Sequence, residues 1–217
     1  FRQEYANQWV RVPPLTTGPR EHVIAPELWA ARAVPEHTAI VGDVALAVDV
    51  SPAGRTAAIA VAGRGADGVP IVDVLSFAAD TFWVEPRVAD HRDTWGPRMI
   101  GYGPGSAEAM APEIGRAAGV VPVKKVPPGD YSAACEAFVL AVKEDRVRHL
   151  DQAWLNSAVD GATKKASGAR WVWDRETALS DISPLVACTV ALRLLETLEP
   201  VEPQRAPRIW SFANTRE

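Results

Sequence analysis

Cysteine is nearly missing from this sequence: Cys135 and Cys188 are the two present in 217 residues. Both fall in helical-looking segments, which reads as buried small apolar residues in a reducing compartment and excludes a disulfide framework or a zinc site. No apolar run approaches the roughly 20 residues that a membrane-spanning helix needs. A Gly-x-x-x-x-Gly-Lys-Ser/Thr phosphate loop is also lacking, so ATP hydrolysis is not expected of these residues. The start, Phe1-Arg2-Gln3-Glu4-Tyr5, has neither an initiator Met nor a secretory leader and reads as the continuation of a longer chain. An excess of positive charge is missing too. The net charge is −4, which does not by itself advertise a nucleic-acid binder. Arginine nevertheless outnumbers lysine 18 to 5, and arginine favours bidentate contacts to phosphate.

What is present is enough for one large domain with appendages. Hydrophobic residues make up 47% and charged residues 23%, proportions that suit a globular core. Residues 1–40 carry Pro13, Pro14, Pro19, Pro26 and Pro35 with two short helix candidates, 2–9 and 25–32, and read as a connector. Residues 200–217, with Pro203 and Pro207, read as a partly extended tail.

Residues 41–199 carry the compact pattern. Val44–Ser51 is a continuous apolar run with one acid, as a buried strand reads. After the turn Pro52-Ala53-Gly54-Arg55, Thr56–Gly63 and Val69–Ala78 complete a three-strand meander. Helix 85–95, strand 98–102, helix 107–118 ending on Gly119, and strand 120–126 follow. Helices are then expected over 131–144, 152–165 and 182–198, with a short extra strand at Arg170–Trp173. This order predicts an α/β fold with a mixed five-stranded sheet, three antiparallel strands plus two parallel ones, flanked by helices.

Two acids stand out. Asp49 sits among Leu46, Ala47, Val48 and Val50, where an ionised carboxylate is costly to bury without a partner. A divalent cation would be one such partner; a backbone donor or an arginine would be another. Asp181 directly precedes the apolar segment 182–198, with Pro184 in its first turn, and reads either as a helix cap or as a ligand beside Asp49. Between Lys143 and Arg175 lie seven basic residues against five acids, with Trp171 and Trp173 alternating on one face of an extended segment. Arg148, Lys164, Lys165 and Arg170 are the candidates there for contacts to DNA phosphates; a solvated face explains such charge equally well. His149 reads as a structural hydrogen-bonding residue rather than a general base.

The order central-strand acid, meander, two strands, then acid before a helix resembles the ribonuclease H superfamily. The local sequences resemble, more narrowly, the nuclease domain of the tailed-bacteriophage terminase large subunit. The segments that carry this are residues 1–9, Val48-Asp49-Val50-Ser51-Pro52, Gly103-Pro104-Gly105-Ser106-Ala107, Arg148-His149-Leu150 and Asp181-Ile182-Ser183-Pro184-Leu185-Val186-Ala187. The resemblance implies a metal-dependent endonuclease that cuts concatemeric double-stranded DNA during viral genome packaging. Two divalent cations, Mg²⁺ or Mn²⁺, would be held by Asp49 as bridging ligand and by Asp181 from the last helix. It further implies an upstream ATPase domain in the same chain, a small terminase subunit and a portal as partners, and the cytoplasm of an infected bacterium as the location. A junction resolvase or transposase core, or a module that grips DNA or the portal without cutting, keeps the same fold.

The pattern breaks at one position. The family places another acid at the end of the fourth strand, and this sequence has Gly103 there. The centre is therefore expected to lack one carboxylate, by engineering, by natural weakening, or with a nearby acid in its place. Glu108 is the replacement candidate as a metal ligand, although a charge in the first turn of a helix reads as favourable on its own. Asp73 on the third strand is a second candidate that equally well faces solvent.

Overall fold

The computed structural model describes residues 21–198. The expected helix at 2–9 and the tail from 200 onward lie outside them. A six-stranded sheet forms the middle layer, in the order β5-β4-β1-β2-β3-β6. Its strands are β1 (Val41–Val50), β2 (Thr56–Arg64), β3 (Pro70–Ala79), β4 (Met99–Tyr102), β5 (Val123–Lys125) and β6 (Arg148–His149). The first three are the expected meander, antiparallel throughout, and β4 and β5 extend it in parallel. The sixth strand was not expected. It is two residues long, lies parallel to β3 and closes that edge of the sheet.

Alternation along β1 and β2 sorts the two faces. Ala45, Ala47, Ala58, Ala60 and Ala62 face one core, with α4 (Pro128–Lys143), α5 (Ala153–Asp160) and α6 (Ser183–Thr197). Leu46, Val48, Val50, Ile59 and Val61 face the other, with α2 (Val84–Trp95) and α3 (Ala111–Ala118). The small residues have a reason. Helix α6 lies so close to the sheet that a Cβ on Gly101 would stand 2.6 Å from Leu194 Cδ1 and 2.6 Å from the Lys124 carbonyl oxygen. Larger side chains on that face would push the helix off. Helix α6 is buried all round over Ser183–Leu192, which matches its mostly apolar sequence there.

The helix expected over 152–165 stops at Asp160. A Cβ on Gly161 would meet Ser180 Oγ at 2.1 Å, so the chain there is pinned against the segment before α6. Beyond it β7 (Lys164–Ser167) pairs antiparallel with β8 (Arg170–Trp173) as a separate hairpin. Its turn contains Gly168 at φ +61°. Lys164 and Lys165 are good helix formers, but the ladder to β8 outweighs that preference.

Residues 21–40 pack on the sheet edge. Short helix α1 (Pro26–Ala30) buries Trp29, whose ring stacks on His149 with centroids 3.8 Å apart. The His149 Nε2 lies 2.9 Å from the Trp29 carbonyl oxygen, and its backbone carbonyl accepts the Val34 N–H at 2.9 Å. His149 therefore has the structural role read from the sequence.

Candidate functional site

The site lies where the parallel strands end. Val48 of β1 is paired with Tyr102 of β4, so one step further along both strands Asp49 and Gly103 are side by side. The C-terminal ends of parallel strands are where α/β sheets hold ligands. Asp49 is on the alanine face, 1% exposed, beneath the start of α6. Asp181 reaches the same place from two residues before that helix, and the two acids repel each other.

Both Asp181 oxygens accept hydrogen bonds from the protein. Its Oδ1 accepts the Ser183 N–H at 2.8 Å, a side-chain turn leading into α6, whose N-cap position is Ile182, and its Oδ2 accepts the Thr56 hydroxyl. Thr56 in turn starts β2, where its N–H donates to Ser51 Oγ at 2.9 Å and closes the turn after β1. The two acids are thus brought together by the first strand, the first hairpin and the last helix.

Their counter-charge is an arginine. Arg175, in the loop after β8, donates from Nη2 to both Asp49 oxygens at 2.6 Å, and from Nη1 to Ser183 Oγ at 3.3 Å. Burial pushes the Asp49 carboxyl above the usual carboxylate range, while the Arg175 guanidinium pulls it back down. Tyr131, in the first turn of α4, completes the cluster. Burial raises its phenol well above the ordinary value, and it stands within electrostatic reach of Cys135, Asp49 and Arg175. Of the partners open to Asp49 from its sequence, the structure realises the arginine. Arg175 had been counted among the basic residues for DNA; its pairing with Asp49 spans 126 positions and leaves no local signal.

The remaining candidates fall elsewhere. Glu108 is exposed and pairs with Lys125 at 2.5 Å, away from the acid pair. Asp73 is buried in the middle of β3, opposite Val61, rather than facing solvent. Gly103 has no conformational need to be glycine, since its φ is not in the left-handed region. A Cβ there would touch Val190 Cγ2 at 3.2 Å and the Tyr131 ring at 3.7 Å, so a methyl group is accommodated with a small shift of Val190.

Among the basic candidates, Lys164 lies 4.6 Å over the Trp171 ring, Lys165 pairs with Glu176 at 3.1 Å and Arg170 with Glu136 at 3.7 Å. Trp171 and Trp173 do share a face of β8, with centroids 5.1 Å apart. Only Trp171 reaches the surface, because Trp173 is 3% exposed and donates to Thr189 Oγ1 at 3.0 Å. Arg148 is on a different element, at the edge of the main sheet, held by Asp145 at 2.6 Å.

Two metal ions do not fit this donor set. Among the described residues no three His, Cys, Asp or Glu side chains come together as a metal group. Asp49 is bound to a guanidinium, both Asp181 oxygens accept protein donors, and Gly103 supplies no ligand.

The architecture defines a class first: a mixed sheet with a meander, parallel extensions and helices on both faces is a ribonuclease-H-like nuclease fold. The particular version is that of the phage large terminases. The chain superposes on the large terminase of bacteriophage HK97 with a TM-score of 0.69 at 15% identity, over 80% of this chain. It spans 43% of that protein's length. It matches 97% of the large terminase nuclease from thermophilic phage G20c, solved with bound magnesium, with a TM-score of 0.59 at 10% identity and 80% of this chain covered. The nuclease domain of the large terminase subunit of bacterial virus Sf6, solved with manganese and beta-thujaplicinol, is covered in full by 83% of this chain, with a TM-score of 0.53 at 12% identity. No family model matches the chain, and no curated protein sequence does. The fold is that of large terminase nuclease domains.

Proposed function

We propose that the chain is the nuclease-fold domain of a viral genome-packaging terminase, acting on double-stranded DNA in the cytoplasm of an infected bacterium. In this reading residues 1–40 connect it to a motor ATPase domain, and the small terminase subunit and the portal are its partners. The single observation that carries it is the placement of Asp49 and Asp181 together at the end of β1, in a fold shared with nucleases solved with magnesium and manganese. The endonuclease chemistry of such a centre is phosphodiester hydrolysis assisted by two divalent cations. In this chain that chemistry is silenced, because the third carboxylate is absent at Gly103 and Arg175 takes up Asp49.

The experiment is a plasmid-nicking series with Mn²⁺. The chain as it stands is expected to leave supercoiled DNA intact, and Gly103→Asp, whose added carboxylate favours cations over Arg175 at Asp49, to convert it to nicked and linear forms. Asp49→Asn in the Gly103→Asp background, checked for folding by circular dichroism, should abolish the conversion. Cleavage by the unaltered chain at the rate of Gly103→Asp would rule silencing out. Cleavage that survives Asp49→Asn would remove the site assignment.

A further inference from the structure

Beside the acid cluster is an open cleft of about 310 Å³, lined among others by Ser51, Arg55, Arg175, Leu179, Ser180 and Asp181. Two guanidinium groups border it, and neither is fully used. Arg55 is exposed and makes no side-chain hydrogen bond or ion pair with the described residues. Its backbone is fixed, since its carbonyl accepts the Asp80 N–H at 2.9 Å while Thr56 beside it is tied to Asp181. Arg175 spends Nη2 on Asp49 and makes one long contact, 3.3 Å to Ser183, from Nη1. Guanidinium carries five N–H donors in a planar fork, so Arg175 keeps donors for a further acceptor. The acid in the wall is occupied: both Asp181 oxygens already accept Ser183 N–H and the Thr56 hydroxyl.

A cleft of this make-up wants an acceptor-rich anion. A divalent cation entering it would have to strip Arg175 from Asp49 and would still meet two carboxylates in place of a full oxygen shell. A tetrahedral phosphate needs neither change, because planar guanidinium groups match its oxygens directly. We propose that this cleft binds a backbone phosphate of DNA through Arg55 and Arg175 without a metal ion. The choice of DNA as the source of that phosphate rests on the terminase reading. The anion site rests on the cleft alone.

The test uses the full chain in EDTA. Inorganic phosphate and dimethyl phosphate are titrated calorimetrically, and a short fluorescein-labelled duplex by anisotropy, each against the natural sequence and Arg55→Gln. Arg55 is exposed, so the substitution is not expected to disturb folding, and a melting curve verifies that. Saturable phosphate binding in EDTA, unchanged by added Mg²⁺ and weakened about tenfold or more by Arg55→Gln, is the expected result. The duplex should lose affinity in the same variant. Phosphate binding that appears only with Mg²⁺, or that Arg55→Gln leaves untouched, overturns the proposal. If the duplex binds in EDTA but phosphate does not, the anion site falls while the terminase reading stands. If inorganic phosphate and dimethyl phosphate both bind and no duplex does, the site stands as a free-anion site and DNA as its source is overturned.

Discussion

At the scale of single residues, the pair Asp49 and Arg175 is the feature with the largest expected effect. Removing one member of a buried ion pair leaves the other charge uncompensated. Asp49→Ala is therefore expected to destabilise the fold by about 3 kcal/mol, at the lower end for buried pairs because the Arg175 side chain is 23% exposed. Urea unfolding of Asp49→Ala and of the double variant Asp49→Asn/Arg175→Gln measures this. The double variant should recover a large part of the loss, and equal losses in both would show that the pair is not coupled. The acid itself was legible in the sequence, because an ionisable group inside an apolar run announces that it has a partner. Which partner was not legible. A metal, a backbone donor and an arginine all solve the same desolvation problem, and only the folded loop after β8 selects among them. Asp181 was likewise visible as a helix-start acid, whereas the Thr56 hydroxyl that it accepts comes from a strand 125 positions away.

At the scale of elements, the meander could be read because each strand is an apolar run bounded by glycine or proline turns, as at Pro52–Gly54 and Gly65–Gly68. Strand β6 could not, since two residues carry no alternation and gain their extended form from β3. The Lys164–Ser167 segment shows the opposite failure, a helix-favouring composition overruled by pairing with β8. The close approach of α6 to the sheet yields a direct prediction. Gly101→Ala sets a methyl group 2.6 Å from Leu194 Cδ1 and from a backbone oxygen that cannot retreat. It should lower stability by about 1–3 kcal/mol, the usual range for overpacking, seen as a lower urea midpoint with unchanged slope. A neutral result would mean that α6 is free to lift, and the position of Asp181 would then be less fixed than its contacts indicate.

At the scale of the whole molecule, stability should depend on pH through the part-buried α2–β3 contact. His91 Nε2 lies 2.9 Å from Ser76 Oγ, and burial, with Arg87 nearby, lowers its pKa from 6.5 to about 4. The unfolded chain then takes up the proton first, so stability is full above pH 6.5 and declines as pH falls towards 4. The loss from this group is at most about 3 kcal/mol. Thermal melts from pH 7 to 4 should show that decline, and His91→Gln should flatten it. Equal slopes in both proteins would exclude His91 as the cause. The docking of residues 21–40 has a mechanical consequence. Trp29 stacked on His149, with Ala33 bridged to the same residue, fastens the incoming chain to the edge strand β6. A pull on residues 1–20 is then borne first by that outer fastening. Only when it gives way does the load pass along residues 34–40 into β1, the strand that carries Asp49.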